Sequence, residues 1–210
     1  ACADAGAGLV TANWLNALSG TWNVASNWST NPNFPNNGTP AGETYHAVID
    51  ATGAAYTVTL NSTVALDQLT LNSANATLSH TSGTLSVVNG IALNAGVFRL
   101  GSGTIANTTI TSAGGALTTA TGNSALNNVT LGADMTVVNN RQSVISNGLT
   151  LDQSVITIES GGGTPALRFN GTQTLSGVGE IVFGGTSTSG QVRSESAGQT
   201  LTIGQDVTIR

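Results

Sequence analysis

Asp67-Gln-Leu-Thr-Leu71, Asn89-Gly-Ile-Ala-Leu93, Asn107-Thr-Thr-Ile-Thr111, Asn127-Asn-Val-Thr-Leu131 and Asn147-Gly-Leu-Thr-Leu151 share one frame. Each opens on Asn or Asp and places apolar residues third and fifth. The frames return about every 20 residues, a period that marks solenoids. In-and-out alternation at period two predicts strands and excludes helices. The frame at Asn107 fits badly, because Thr109 and Thr111 occupy the apolar slots. That lap is either shifted by one residue or locally irregular.

A single strand of this kind cannot bury its apolar side alone. Stacked on the next lap it can, with parallel strands roughly 4.8 Å apart. The leading Asn or Asp suits the corner between strands, since its short side chain bonds local backbone and tolerates left-handed geometry. In-register stacking predicts one column of Asp67, Asn89, Asn107, Asn127 and Asn147, bonded amide to amide.

Working outward, shorter strands lie between the frames: Tyr56-Thr-Val-Thr-Leu60, Thr84-Leu-Ser-Val87 and Val97-Phe-Arg-Leu100, with Gly at the turns. Several strands per lap is the pattern of a three-sided β-helix. After Leu151 the rhythm continues, interrupted at Gly161-Gly-Gly-Thr-Pro165 and again over residues 184–190. Insertions of this kind commonly bulge from one face as binding loops.

The segment from Trp14 to Pro40 differs in character. It holds Trp14, Trp22 and Trp28 together with Pro32, Pro35 and Pro40. Prolines at this spacing exclude a central strand or a helix. A solenoid needs its exposed end covered, and three indoles, each burying about 150–250 Å², suit an N-terminal cap. The competing use of exposed indoles is stacking on sugars. The expected organisation is a flexible segment over 1–12, a cap over 13–50 and solenoid laps over 51–210. Val207-Thr-Ile209 reaches almost to the last residue with no closing segment, which suggests a fragment or an end covered by another copy. Such head-to-tail contact builds filaments unless it closes.

Ser19-Gly-Thr-Trp22, Asn27-Trp-Ser29, Ala47-Val-Ile-Asp50, Tyr56–Leu60, Leu126-Asn-Asn-Val-Thr-Leu131 and Gln173-Thr-Leu-Ser-Gly-Val-Gly179 carry a resemblance. From about residue 14 the chain is similar to secreted bacterial parallel β-helix surface proteins, including autotransporter-passenger-like and haemagglutinin-like adhesins. The resemblance implies a right-handed parallel β-helix outside the cell. It is specific for architecture and weak for activity, because fold alone does not fix function.

Composition narrows the function classes. Only 7% of residues are charged, against about 25% in ordinary domains. Lysine is absent, five arginines supply all the basic charge, and the formal net charge is -5. Nucleic acid and anionic membrane surfaces therefore fit poorly as partners. Thr, Ser, Asn and Gly take over from charge in keeping the chain soluble. Cys2 stands alone, so no intrachain disulfide is available. It is read as an unreactive residue in a frayed start rather than a lipid carrier or an interchain bridge. No apolar run approaches the ~18 residues of a membrane span. The small residues Ala1 to Gly8 fit what remains after leader cleavage.

Acid–base chemistry would fall to the ten carboxylates: Asp4, Glu43, Asp50, Asp67, Asp134, Asp152, Glu159, Glu180, Glu195 and Asp206. β-Helix polysaccharide lyases and hydrolases need them clustered. Glu159, Glu180 and Glu195 meet only if successive laps stack them on one face, with Arg168 or Arg193 as partner. His46 and His80 have no ligand-spaced neighbours and read as surface residues. The Asn-x-Ser/Thr matches arise from composition and are assigned no glycan. Outward Thr70, Thr130 and Thr150 suggest a hydroxyl column of the ice-binding kind, broken by Ala92 and Ile110.

The sequence thus predicts an all-β, right-handed parallel β-helix with an N-terminal Trp/Pro-rich cap. Its expected role is a non-enzymatic structural or adhesive module, secreted or on a cell surface. No catalytic, cofactor or metal residue is assigned. Expected partners are another copy end to end, or a surface polysaccharide or host-cell ligand. The alternatives are a carbohydrate-binding or polysaccharide-degrading β-helix, then an ice-binding solenoid.

Overall fold

The computed structural model describes residues 8–210. Cys2 and most of the small-residue start therefore lie outside the described residues. The chain is all-β, its strands stacked in parallel as a β-solenoid of about seven turns. A short 3-10 turn, Ala25–Asn27, is the one helical element among the described residues.

Three strand columns make three faces. The first runs from Leu9–Asn13 through Thr44–Ile49, Gln68–Leu71 and Ile91–Leu93, then through parts of the long strands Thr104–Ser112, Ser124–Gly132, Gln142–Ser160 and Gln173–Gly185 to Leu201–Ile203. The second holds Tyr56–Leu60, Ala76–His80, Val97–Leu100, Ala116–Thr119 and Met135–Val137. The third holds Val64–Leu66 and Thr84–Val87, and later Ala166–Asn170 and Gln191–Ser194. Leu9–Asn13, inside the segment expected to be featureless, is thus a strand, and Thr44–Ile49 belongs to a solenoid lap.

Burial explains the alternation. Ala12, Ala47, Leu69, Ile91, Ile110, Leu131 and Leu151 stack residue on residue as one inward column, and all are buried. Each Leu or Ile of this column contributes about 1.5–3 kcal/mol, as do Ile49, Leu71 and Leu93 in the inward column beside it.

The same column corrects the frame alignment. Leu69 and Ile91 are third in their frames, Ile110 is fourth, and Leu131 and Leu151 are fifth. The Asn107 frame is shifted by one residue, so that Ile110 faces the core and Thr108 lies under Val129. A one-residue slip would turn the apolar residues outward. A two-residue slip only exchanges one inward residue for another, so the hydrophobic pattern does not resist it.

The predicted five-member corner column is accordingly broken into pairs. Asn89 donates to Asp67 Oδ2 at 3.0 Å, Asn128 to Asn107 Oδ1 at 3.0 Å, and Asn147 to Asn127 Oδ1 at 2.7 Å. Asn107, Asn128 and Asn147 carry φ of 52°, 53° and 55°, the left-handed geometry expected of corner residues.

At the N-terminal end the three indoles are buried and form part of the continuous core. Trp28 meets Trp14 edge-on at 5.1 Å and Trp22 at 4.6 Å. Trp28 Nε1 donates to the Trp22 carbonyl at 2.7 Å and Trp22 Nε1 to that of Pro35 at 3.1 Å. The Pro-rich loop then pairs with the edge of Val64–Leu66. Asn36 Oδ1 accepts from the Ala65 amide at 2.9 Å, and the Asn37 amide donates to the Ala65 carbonyl at 2.8 Å.

Candidate functional site

Parallel stacking turns each outward position into a column, and two faces display columns of hydroxyls. On the first face Thr109, Thr130, Thr150 and Ser176 stand in file, with Thr150 Oγ1 and Ser176 Oγ 3.0 Å apart. Thr70 is not in this file, contrary to the expected Thr70–Thr130–Thr150 column. It lies in the neighbouring one, between Val48 and Ala92, again because of the slip near Asn107. On the second face the file is Thr21, Thr59, Ser79, Arg99, Thr118, Thr136, Thr157. Two adjacent hydroxyl files occur where Thr57 and Thr59 overlie Thr77 and Ser79, and again on the first face where Thr172 and Thr174 meet Thr200 and Thr202. Val97 and Arg99 end the former patch one lap later.

The two interruptions of the repeat come together at one corner. The Ser189 hydroxyl donates to the Gly163 carbonyl, and the Thr186 amide to the Ser160 carbonyl at 2.8 Å. One lap earlier, Asn139 Oδ1 accepts from the amides of Gly161 and Gly163, both at 2.9 Å. The loops are thus fixed to one another rather than projecting singly.

The three glutamates singled out by spacing do not assemble. Glu195 lies on the third face in an ion pair with Arg168, whose other branch donates to Gln142 Oε1 at 2.6 Å. Glu180 is held by Arg210 at 2.9 Å on the second face. Glu159 shares that face but pairs in register with Gly184, while Glu180 pairs with Val155. Four residues along adjacent strands put them roughly 14 Å apart, beyond the ~5–10 Å of paired glycosidase carboxylates. Arg193 stacks next to Arg168 and completes no triad.

The histidines diverge. His46 Nε2 sits 2.8 Å from Thr70 Oγ1 on the outer surface of the first face. Partial burial lowers its pKa, against an opposing pull from the Asp67 carboxylate. His80, expected at the surface, is 1% exposed and faces the core between Leu60 and Leu100. Thr81-Ser-Gly83 reads as an exposed turn, yet the strand runs one residue further and its last side chain points inward. Neither ring nitrogen has a well-aligned hydrogen-bond partner. Burial pushes the imidazole down to about 4, against a smaller pull from the backbone of Ser82 and Gly83. Gly103 makes room for the ring: a Cβ there would stand 2.3 Å from Cε1.

Among the described residues no group of three or more His, Cys, Asp or Glu side chains is placed to hold a metal ion. No helix there is long and apolar enough to cross a membrane. The features offered to a partner are therefore hydroxyl files, corner amides and a few isolated charges on a regular surface. Comparison with protein-family models, with curated proteins and with solved structures finds no match.

Proposed function

We propose that the chain is a non-enzymatic structural or adhesive module of a secreted or cell-surface protein, a stiff rod or filament component that presents its outer faces for contact. The observation that carries this reading is the unbroken parallel ladder. Strand follows strand on each face, so that about seven turns span roughly 35 Å along the axis. Deforming such a rod means breaking backbone hydrogen bonds lap by lap. The buried Trp14, Trp22 and Trp28 close its N-terminal end in this reading. The hydroxyl files and the paired glutamates supply a surface suited to many weak polar contacts. With one Cys in the chain, no intrachain disulfide contributes, and packing and backbone pairing maintain the rod.

Incubation with a panel of immobilised polysaccharides separates this reading from the degrading alternative. Retention on a polymer without release of new reducing or unsaturated ends is expected. Sustained release of such ends, lost in Glu159→Gln, would overturn the non-enzymatic assignment. The ice-binding reading is favoured by no comparable observation, since neither double hydroxyl file runs beyond two laps among the described residues.

A further inference from the structure

We propose that Arg99 and Arg141 form a binding site for an acidic polysaccharide on the second face. The chain has five arginines and no lysine. Arg168 and Arg210 are paired with Glu195 and Glu180. Arg99, Arg141 and Arg193 have no carboxylate partner among the described residues, and of these Arg99 and Arg141 line the same open recess of about 370 Å³. Thr118, Ala120, Thr121 and Val138 form its floor and rim. Its size lies in the ~300–1,000 Å³ range of small-ligand sites.

The backbone fixes where both side chains begin. Arg99 is held in ladders with Ser79 on one side and Thr118 on the other. Arg141 closes a tight turn, its amide donating to the Val138 carbonyl at 3.0 Å and its carbonyl accepting from Ala166 at 3.0 Å. From the strand of Arg99 to that of Thr136, which precedes the turn, is two laps. The backbone of Arg141 is therefore offset from that of Arg99 by roughly 10 Å along the axis, and both side chains reach the one recess. Between them the hydroxyls of Thr118 and Thr121 and the short Ala120 leave a polar, low floor on which a sugar ring can lie. Guanidinium groups bind carboxylate or sulfate in a planar, two-pronged way. A saccharide carrying repeated acid groups can thus meet both arginines from one recess. Of the neighbouring carboxylates, Glu159 lies one lap beyond Val138 and directs its Oε1 toward Gly184, and Asp134 accepts from the Val155 amide at 2.8 Å.

The inference deepens the adhesive reading by naming a ligand class, and its failure would leave the rod intact. The molecule is acidic overall, so polyanions are repelled in general and any attraction reports this local pair. The test is titration calorimetry at low salt with hyaluronan, dextran sulfate, neutral dextran and inorganic polyphosphate, on the intact chain and on variants. Hyaluronan or dextran sulfate is expected to bind and neutral dextran not. Arg99→Gln with Arg141→Gln should weaken binding at least tenfold, with melting temperature and circular dichroism unchanged because both side chains face outward. Glu159→Gln should tighten it slightly. Equal binding of the double variant, equal binding of neutral dextran, or no binding of any anion would overturn the site. Tighter binding of polyphosphate than of either acidic polysaccharide would overturn the sugar assignment. The stalk reading would fail on different grounds, through a chain that flexes in small-angle scattering.

Discussion

Asn128 donates its side-chain amide to Asn107 Oδ1 across a lap, at 3.0 Å, one residue from the partner that in-frame stacking assigns. Both residues hold left-handed backbone, so each serves a conformational and a bonding purpose. The two contributions separate by substitution. Asn128→Ala loses the amide and strains the backbone, for about 2 kcal/mol. Asn128→Gly loses only the amide and should cost about 1 kcal/mol or less. Urea unfolding of the three proteins checks the order. Equal losses would mean that the amide pair, not the backbone, decides this corner.

Buried His80 makes stability depend on pH. Its folded pKa is lowered to about 4 from 6.5, so the unfolded chain takes up the proton first. Stability contributed by the neutral ring is complete above about pH 6.5 and drains away as pH falls towards 4, by about 3 kcal/mol. Below that both states are protonated and this contribution levels off. His80→Leu, which continues the Leu60–Leu100 column, should abolish this part of the slope. Guanidinium unfolding at pH 7.5 and pH 4 measures it.

Gly103 and His80 should be energetically coupled. Gly103→Ala places a methyl group where the imidazole lies, costing about 3 kcal/mol by overpacking. With His80→Ala already present the same change should cost less than about 1 kcal/mol. A double-mutant cycle by thermal or chemical unfolding reads the difference. Additive costs would show that Gly103 is required by its backbone alone.

The indole cluster should respond as core. Trp28→Ala removes a fully buried ring and the donor to the Trp22 carbonyl, for about 3–5 kcal/mol. Tryptophan emission should be blue-shifted, resistant to acrylamide and indifferent to added oligosaccharides. Quenching by sugars would move the cluster from packing to recognition.

The solenoid was legible because inward residues such as Leu69, Leu71, Ile91 and Leu93 alternate with polar ones at a steady lap length. That signal carries face but not exact register, since positions two apart are equally apolar. Hence the Asn file and the Thr70–Thr130–Thr150 file came out differently in space. His80 was misread because a turn-like Thr-Ser-Gly follows it, and sequence alone does not say on which residue a strand ends. The proximity of Glu159, Glu180 and Glu195 depended on the same unresolved register. Arg99 and Arg141 offered no signal at all: only the winding of the chain brings them to one recess.

Each strand pairs only with the lap immediately before or after its own. A growing or emerging chain therefore always has its template already in place, and no segment must wait for a distant partner to be delivered. Such a molecule can acquire its structure in the order in which it leaves a narrow exit, beginning with the tryptophan-bearing end.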